Sequence, residues 1–287
     1  CAIRRIYGFE CRGRHVHLVP YCLLLERYVV RMSAIPRLFV SAGLKQSQPV
    51  RLEEDASKYL LRVMRLSAGD RVRVFNGREG EWLCELAVPE GKTAILLPIE
   101  QMRGQDVSEI PKLTLLFAPV KKTETDFIVE KATELGVDCI QPVVTEYTQT
   151  RTVRLDRFNK IALEAAEQTE RLDLPEIMEL EPLAHVLGQL PKETALIFCD
   201  EAGEDDTKPW GGETGRAGAA LTILADLKKR DAAILIGPEG GFSPDERSAL
   251  RARPETCPIS LGPRILRAET AVISALTLWQ SVCGDWA

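Results

Sequence analysis

Two glycine turns hold the residues of this chain best suited to binding chemistry. One is Gly237-Pro238-Glu239-Gly240-Gly241; the other, Gly262-Pro263-Arg264, is followed closely by Arg267 and Glu269. Glycine lets the backbone approach a bound molecule and offer it main-chain donors and acceptors. Neither turn has the GxGxxG or GxxxxGK[ST] spacing, so a dinucleotide site or a P-loop is not supported. Metal chemistry fares no better. His15 and His17 have no partner cluster, and Cys84, Cys139, Cys199, Cys257 and Cys283 are spread singly among apolar neighbours. Reduced core thiols in a cytosolic protein explain that pattern, and no metal is expected.

Each turn needs a strand before it and a helix after it. The apolar run Ala232 to Ile236 has the length and branching of a buried strand. After the first turn, Ser243 caps a helix with Pro244 at its first position and Asp245 and Glu246 in its first turn. The second turn ends a strand over Pro258 to Leu261 and leads into a helix over Ala268 to Val282. Strand–turn–helix units occur throughout α/β proteins. A pair of them on neighbouring strands would put two loops at one sheet edge, where open α/β sheets bind ligands.

From residue 36 onward the chain changes rhythm once. Arg37–Ser41, Arg71–Phe75, Glu81–Val88 and Thr93–Ile99 are short strands punctuated by Asn76-Gly77 and Glu90-Gly91. Among them Glu53–Leu66 is an amphipathic helix, with Ala56, Leu60, Leu61, Val63 and Met64 on its apolar side. A small β-barrel is expected over residues 36–107. After a polar linker, strands at Leu113–Ala118, Cys139–Val144 and Thr194–Cys199 alternate with helices at Asp126–Leu135 and Asp156–Arg171. That alternation predicts a mostly parallel sheet over 108–287. Glu201–Gly218 reads as a surface loop and Ala219–Lys229 as a helix. The last helix carries one apolar stripe, with Ile273 and Leu278 off it, which favours a subunit interface.

Charge divides unevenly. Residues 108–287 carry 20 basic and 30 acidic side chains, a net −10, so any nucleic-acid footprint there must be local. Residues 1–31 differ from the rest, with six Arg, no Lys and three Cys. Met32-Ser33-Ala34 reads as a start, and residues 1–35 are taken as a disordered or spurious extension. No apolar run approaches the roughly 18 residues of a membrane span, and no membrane association is expected.

The wording of the loops is more specific than their pattern. Leu235-Ile-Gly-Pro-Glu-Gly-Gly-Phe-Ser243 and Leu261-Gly-Pro-Arg-Ile-Leu-Arg-Ala-Glu-Thr-Ala271 resemble the paired motifs of the RsmE family. So do Lys131-Ala-Thr-Glu-Leu-Gly-Val137, Glu164-Ala-Ala-Glu-Gln168, Arg37-Leu-Phe-Val40 and Gly69-Asp-Arg-Val72, in order, over about Pro36 to Trp286. The family comprises uridine-N3 methyltransferases of 16S ribosomal RNA within the SPOUT superfamily. The resemblance implies a PUA-like barrel that helps hold RNA, then a trefoil-knotted parallel sheet with helices on both faces. It also implies a cytoplasmic homodimer that uses S-adenosylmethionine and acts on 16S rRNA or the assembled small subunit.

Carried onto this chain, the resemblance assigns cofactor binding to Ile236, Gly237, Pro238, Glu239, Gly240, Leu261, Gly262, Ile265, Leu266 and Arg267. Arg267 is expected to stabilise negative charge on the uracil, with Glu239 or Glu269 taking the N3 proton. Arg37, Arg62, Arg65, Arg78 and Arg171 are the expected RNA contacts. The chain departs from the family pattern twice. Thr145-Glu146-Tyr147-Thr148 replaces a Thr-Glu-Arg-Ser pattern, and Thr169-Glu170 stands where Cys-Gly is frequent. A non-enzymatic RNA-binding assembly factor and a knotted methyltransferase with another RNA target are the competing readings.

Overall fold

Short alternating strands and longer apolar ones segregate into two sheets. The computed structural model describes residues 35–105, 110–200 and 217–286. The expectations for residues 1–31, and nearly all of the Glu201–Gly218 loop, lie outside those residues. Residues 37–287 form one compact unit.

The first sheet holds β1 (Arg37–Phe39), β2 (Val50–Arg51), β3 (Arg71–Phe75), β4 (Glu81–Leu86) and β5 (Ile95–Arg103). Its order is β1-β3-β4-β5-β2, with β1 parallel to β3 and the other pairs antiparallel. Its core gathers Leu38, Val50, Leu60, Val72, Val74, Leu86 and Leu96. The helix expected over Glu53–Leu66 departs from a regular α-helix. α1 (Glu54–Lys58) runs into a π-helical turn, Tyr59–Val63, in which the Met64 amide reaches Tyr59 O at 2.9 Å. The wider turn rotates later residues off the 3.6-residue stripe. Leu60 is therefore buried, while Val63 is 64% exposed and Met64 39%.

The second sheet is parallel throughout. It contains β6 (Leu113–Phe117), β7 (Cys139–Val144), β8 (Glu176–Ile177), β9 (Glu181–Pro182), β10 (Ala195–Cys199), β11 (Gly218–Ala219), β12 (Ala232–Ile236) and β13 (Thr256–Ser260). The order is β11-β13-β10-β12-β6-β7-β8, with β9 also against β7. Around it lie α2 (Lys122–Glu134), α3 (Leu155–Gln168), α4 (Leu183–Gln189), α5 (Ala220–Ala225), α6 (Pro244–Arg251) and α7 (Ala268–Val282). Alternate residues of the central strands enter different cores. Leu115, Phe117, Ile234 and Ile236 join one cluster, and Leu116, Leu235, Phe198 and Ala233 the other. Burial on both faces is why these strands read as continuous apolar runs. α4 and the two-residue strands escaped the sequence reading because neither is long enough to show a period.

The two sheets are joined through buried charge. Arg37 is 8% exposed, stands over the Phe75 ring at 3.9 Å and pairs with Glu81 at 2.5 Å. Its other nitrogens donate to Ala166 O at 2.7 Å, within α3, and to Arg171 O at 2.6 Å, just beyond it. Arg171 in turn donates to Thr133 O at 2.9 Å and pairs with Asp173. Arg37 and Arg171, expected as phosphate contacts, instead commit their guanidinium groups inside the protein. A short hydrophobic strand carries Arg37 inward, and burial forces its donors onto internal acceptors. Arg62, Arg65 and Arg78 are exposed. Glu170 adopts φ 62°, the left-handed conformation that glycine takes most readily, and pairs with Arg73 at 2.9 Å. This is the position where the family pattern has glycine.

Two expected outcomes follow from this joint. Arg37→Ala leaves Glu81 buried with only Arg103 at 3.2 Å and Arg73 at 3.8 Å, so urea denaturation is expected to lose about 3 kcal/mol, the lower end for a broken buried pair. Arg62→Ala, on the surface, is expected to change stability by less than about 0.5 kcal/mol. Equal effects of the two would refute the structural role of Arg37. Burial raises the Glu167 carboxyl above its ordinary range, although the Phe39 amide donates to it at 3.0 Å. The folded state thus binds this proton more tightly than the unfolded chain. Its contribution is full at low pH and is lost as pH rises through the raised value. Glu167→Gln is expected to raise the urea midpoint at pH 7, with the gain vanishing toward pH 4; a pH-independent change would contradict the assignment.

Candidate functional site

The two glycine-turn strands are not neighbours. β10 lies between them, pairing Phe198 with Leu235 on β12 and Cys199 with Ile259 on β13. Because all three run parallel, their carboxyl ends still reach one edge together. The end of β10, Cys199-Asp200, therefore stands between the two turns, where sequence reading placed nothing.

A cleft of about 440 Å³ opens at this edge. Its walls include all ten residues expected to hold a cofactor: Ile236, Gly237, Pro238, Glu239, Gly240, Leu261, Gly262, Ile265, Leu266 and Arg267. Glu269, half-buried in the first turn of α7, is outside the lining. Cys199, Asp200, Ile259, Ser260 and Ala271 join the walls without having been expected. Asp200 is 2% exposed and held by Arg247 at 3.3 Å and Arg251 at 2.5 Å. Those arginines are four apart on α6, one helical turn, so both reach one carboxylate. Their spacing was visible in the sequence; the carboxylate that they share was not.

The glycines do different jobs. A Cβ at Gly237 would stand 2.6 Å from the Phe242 ring, which packs edge-on against Phe198 at 5.2 Å. A Cβ at Gly240 would meet Tyr147 at 3.2 Å. Both therefore allow close packing of the first turn. Gly262 differs: its φ is 109°, and an added Cβ would find nothing within 4 Å. Its need is conformational.

Local hydrogen bonds hold the loops in place. Ser243 caps α6, as its sequence predicted, and Glu246 makes the cap a reciprocal box. The second oxygen of Glu246 accepts from the Glu146 amide at 2.8 Å, tying the β7–α3 loop to the first glycine turn. That loop is tied onward as well, since the Thr150 hydroxyl donates to Val120 O at 2.7 Å. At the other wall Arg267 is the N-cap of α7, extended at φ −66° and ψ 155°, with an exposed side chain. No ion pair joins it to Glu269 among the described residues. Glu239 is likewise exposed at the cleft wall. The far end of α7 is anchored by buried Gln280, which donates to Leu135 O at 2.6 Å. The result is an apolar, backbone-lined cleft whose wall carries the Arg264 and Arg267 guanidinium groups and the Glu239 carboxylate, none of them ion-paired to a described residue.

Comparison with known proteins gives this arrangement a family. Residues 108–280 match the RNA methyltransferase domain family, and residues 52–99 match the RNA methyltransferase PUA domain. The chain is 31% identical over 241 residues to the ribosomal RNA small subunit methyltransferase E of Rickettsia conorii, covering 84% of this chain and 93% of that protein. It is 35% identical over 222 residues to the protein of that name from a Synechocystis strain, covering 76% and 68%. A crystal structure of the Neisseria gonorrhoeae methyltransferase E bound to S-adenosyl methionine superposes with a TM-score of 0.69 at 26% identity, over 88% of this chain and all of that one. By family match and by identity along its length, this chain belongs to the ribosomal RNA small subunit methyltransferase E family.

Proposed function

We propose that this protein is an S-adenosylmethionine-dependent methyltransferase acting on N3 of a uridine in 16S ribosomal RNA. The observation that carries the reading is the convergence of both glycine turns and Arg267 on one cleft. Its volume lies within the roughly 300–1,000 Å³ of small-molecule sites. The site fits the cofactor in kind: an added Cβ at Gly262 would find nothing within 4 Å, leaving room beside the turn, and Ile236, Ile259, Leu261 and Leu266 offer apolar walls for a nucleoside. S-adenosylmethionine, when bound, supplies an electrophilic methyl group.

The chain's own residues must prepare the nucleophile. Uridine N3 bears a proton and attacks poorly until it is lost. Arg267 is a fixed positive charge at the cleft wall, suited to negative charge on the uracil oxygens. Glu239 takes the N3 proton in this reading, directly or through one water. It is preferred to Glu269 because it lines the cleft. Arg62, Arg65 and Arg78 remain the RNA contacts assigned to the first sheet. The proposed fold keeps the barrel closure of that domain and the knot around α7. It also keeps a homodimer through α7, supported by half-buried Ile273 and Leu278 beside the buried stripe of Val272, Ala275, Leu276 and Trp279.

Three measurements test this. Arg267→Ala is expected to slow single-turnover methyl transfer to small ribosomal subunits by roughly a hundred- to a thousandfold, the scale of a lost oxyanion donor. Its calorimetric affinity for S-adenosylmethionine should change little. Gly262→Val should behave in the opposite way, because a branched side chain at φ 109° strains the second turn by about 1–3 kcal/mol and distorts the cleft. Cofactor affinity should then fall first. If Arg267→Ala loses as much cofactor affinity as Gly262→Val, or transfers methyl at the wild-type rate, its catalytic role is wrong. Light scattering at micromolar concentration is expected to give twice the chain mass; a monomer with full cofactor affinity would remove the dimer from the reading.

A further inference from the structure

We infer that the substrate RNA strand crosses the carboxyl edge of the parallel sheet on a track formed by Lys121, Lys122, Arg151 and Arg264, with Tyr147 as a base-stacking platform beside the cleft. This rests on the methyltransferase reading above and names the substrate contacts of the same site.

The starting point is charge. In a domain of net −10, loop residues 118–122, 149–154 and 262–267 hold six basic side chains and no acid. Parallel register brings all three loops to the same edge as the cleft: Phe117 is level with Ile236 and with Pro142. Lys121, Lys122, Arg151 and Arg264 are exposed, and none forms an ion pair with a described residue. Nearby Arg154 and Arg157 are different, being paired with Asp156 at 2.7 Å and Asp126 at 2.5 Å. The unpaired set is thus selected by geometry, not by composition.

Hydrogen bonding makes the set contiguous. Thr150 donates to Val120 O, so Arg151 and Lys121 each lie one residue from a single bond. Four residues back along the same loop, Tyr147 lies against Gly240 and is 39% exposed. Arg264 closes the row from the far wall. Acids share this edge: Glu146 and Glu239 are exposed, Asp245 and Glu246 open α6, and Asp200 is held by Arg247 and Arg251. Folding gives no reason for the lysines. Lys121 and Lys122 are the N-cap and first residue of α2, where the helix dipole disfavours positive charge by about 0.3–1 kcal/mol. A row of unpaired cations with one exposed aromatic suits a single strand, whose phosphates take the charge and whose bases stack.

The test is filter binding of a 16S rRNA transcript and of purified small subunits across a salt series. Lys121→Ala with Arg151→Ala is expected to weaken binding and to flatten the log–log salt slope by about 1.4, twice the single-strand value of about 0.7 per phosphate. Arg154→Ala should leave the slope unchanged. S-adenosylmethionine affinity and melting temperature should stay at wild type in all of these. Tyr147→Leu is expected to raise KM for subunits roughly tenfold with kcat little changed, and Tyr147→Phe to restore it. The inference is overturned if the double variant keeps the wild-type slope, if Arg154→Ala matches it, or if the wild-type protein binds no RNA. Wild-type protein that binds with these slopes yet transfers no methyl group would defeat the methyltransferase reading and leave the track standing.

Discussion

Parallel pairing fixes where the strand ends of the second sheet meet. A parallel strand needs a crossover to return, so every strand of the second sheet delivers its carboxyl end to the same edge. Five strands in the order β13-β10-β12-β6-β7 therefore bring five carboxyl ends together, from points of the chain more than a hundred residues apart. Register does the fine placement. Ile236 level with Phe117, and Cys199 level with Ile259, bring the ends of four strands to nearly one height. The cleft is the space left where those strands stop.

Burial then sets which polar groups remain available. Arg37 and Asp200 are almost fully enclosed, and each is satisfied by several partners. Cys84 is buried and Cys139 is half-buried beside Glu176 and Asp138; burial first of all pushes their thiols up to about 12 and about 11, so both stay protonated. At the cleft edge, by contrast, Arg267, Glu239 and Lys121 are exposed and form no ion pair with a described residue. A charged side chain whose needs the fold has not met is the one left for a ligand.

The glycine-rich wording of the first turn serves packing as much as ligand approach. Gly237 makes room for Phe242, and Gly240 makes room for Tyr147. These contacts weld the turn to the opposite core and to the β7–α3 loop, so the cleft wall is backed by packed side chains. Glu170 makes the complementary point. It holds a left-handed backbone without being glycine, and a pair with Arg73 accompanies that strain. The turn is kept although the residue type that usually makes it has changed.

Local physics was legible in the sequence wherever a single segment contained its own cause. The strand Ala232–Ile236, the Ser243 cap and the helix Ala268–Val282 all lie where apolar period, capping chemistry and turn residues put them. The ten cleft residues were legible too, because their order within two short motifs carried the family resemblance. Tertiary structure alone decided what depends on two distant segments meeting. It set β10 between the glycine turns and so brought Asp200 to the site. It turned Arg37 and Arg171 inward, although in sequence they look like any surface arginine. The π-helical turn that exposed Val63 and Met64 belongs here as well, because a regular 3.6-residue period describes a helix only while its hydrogen bonds keep that period. Side-chain type states what a group can do; which other group occupies the space beside it is settled only when the chain has closed on itself.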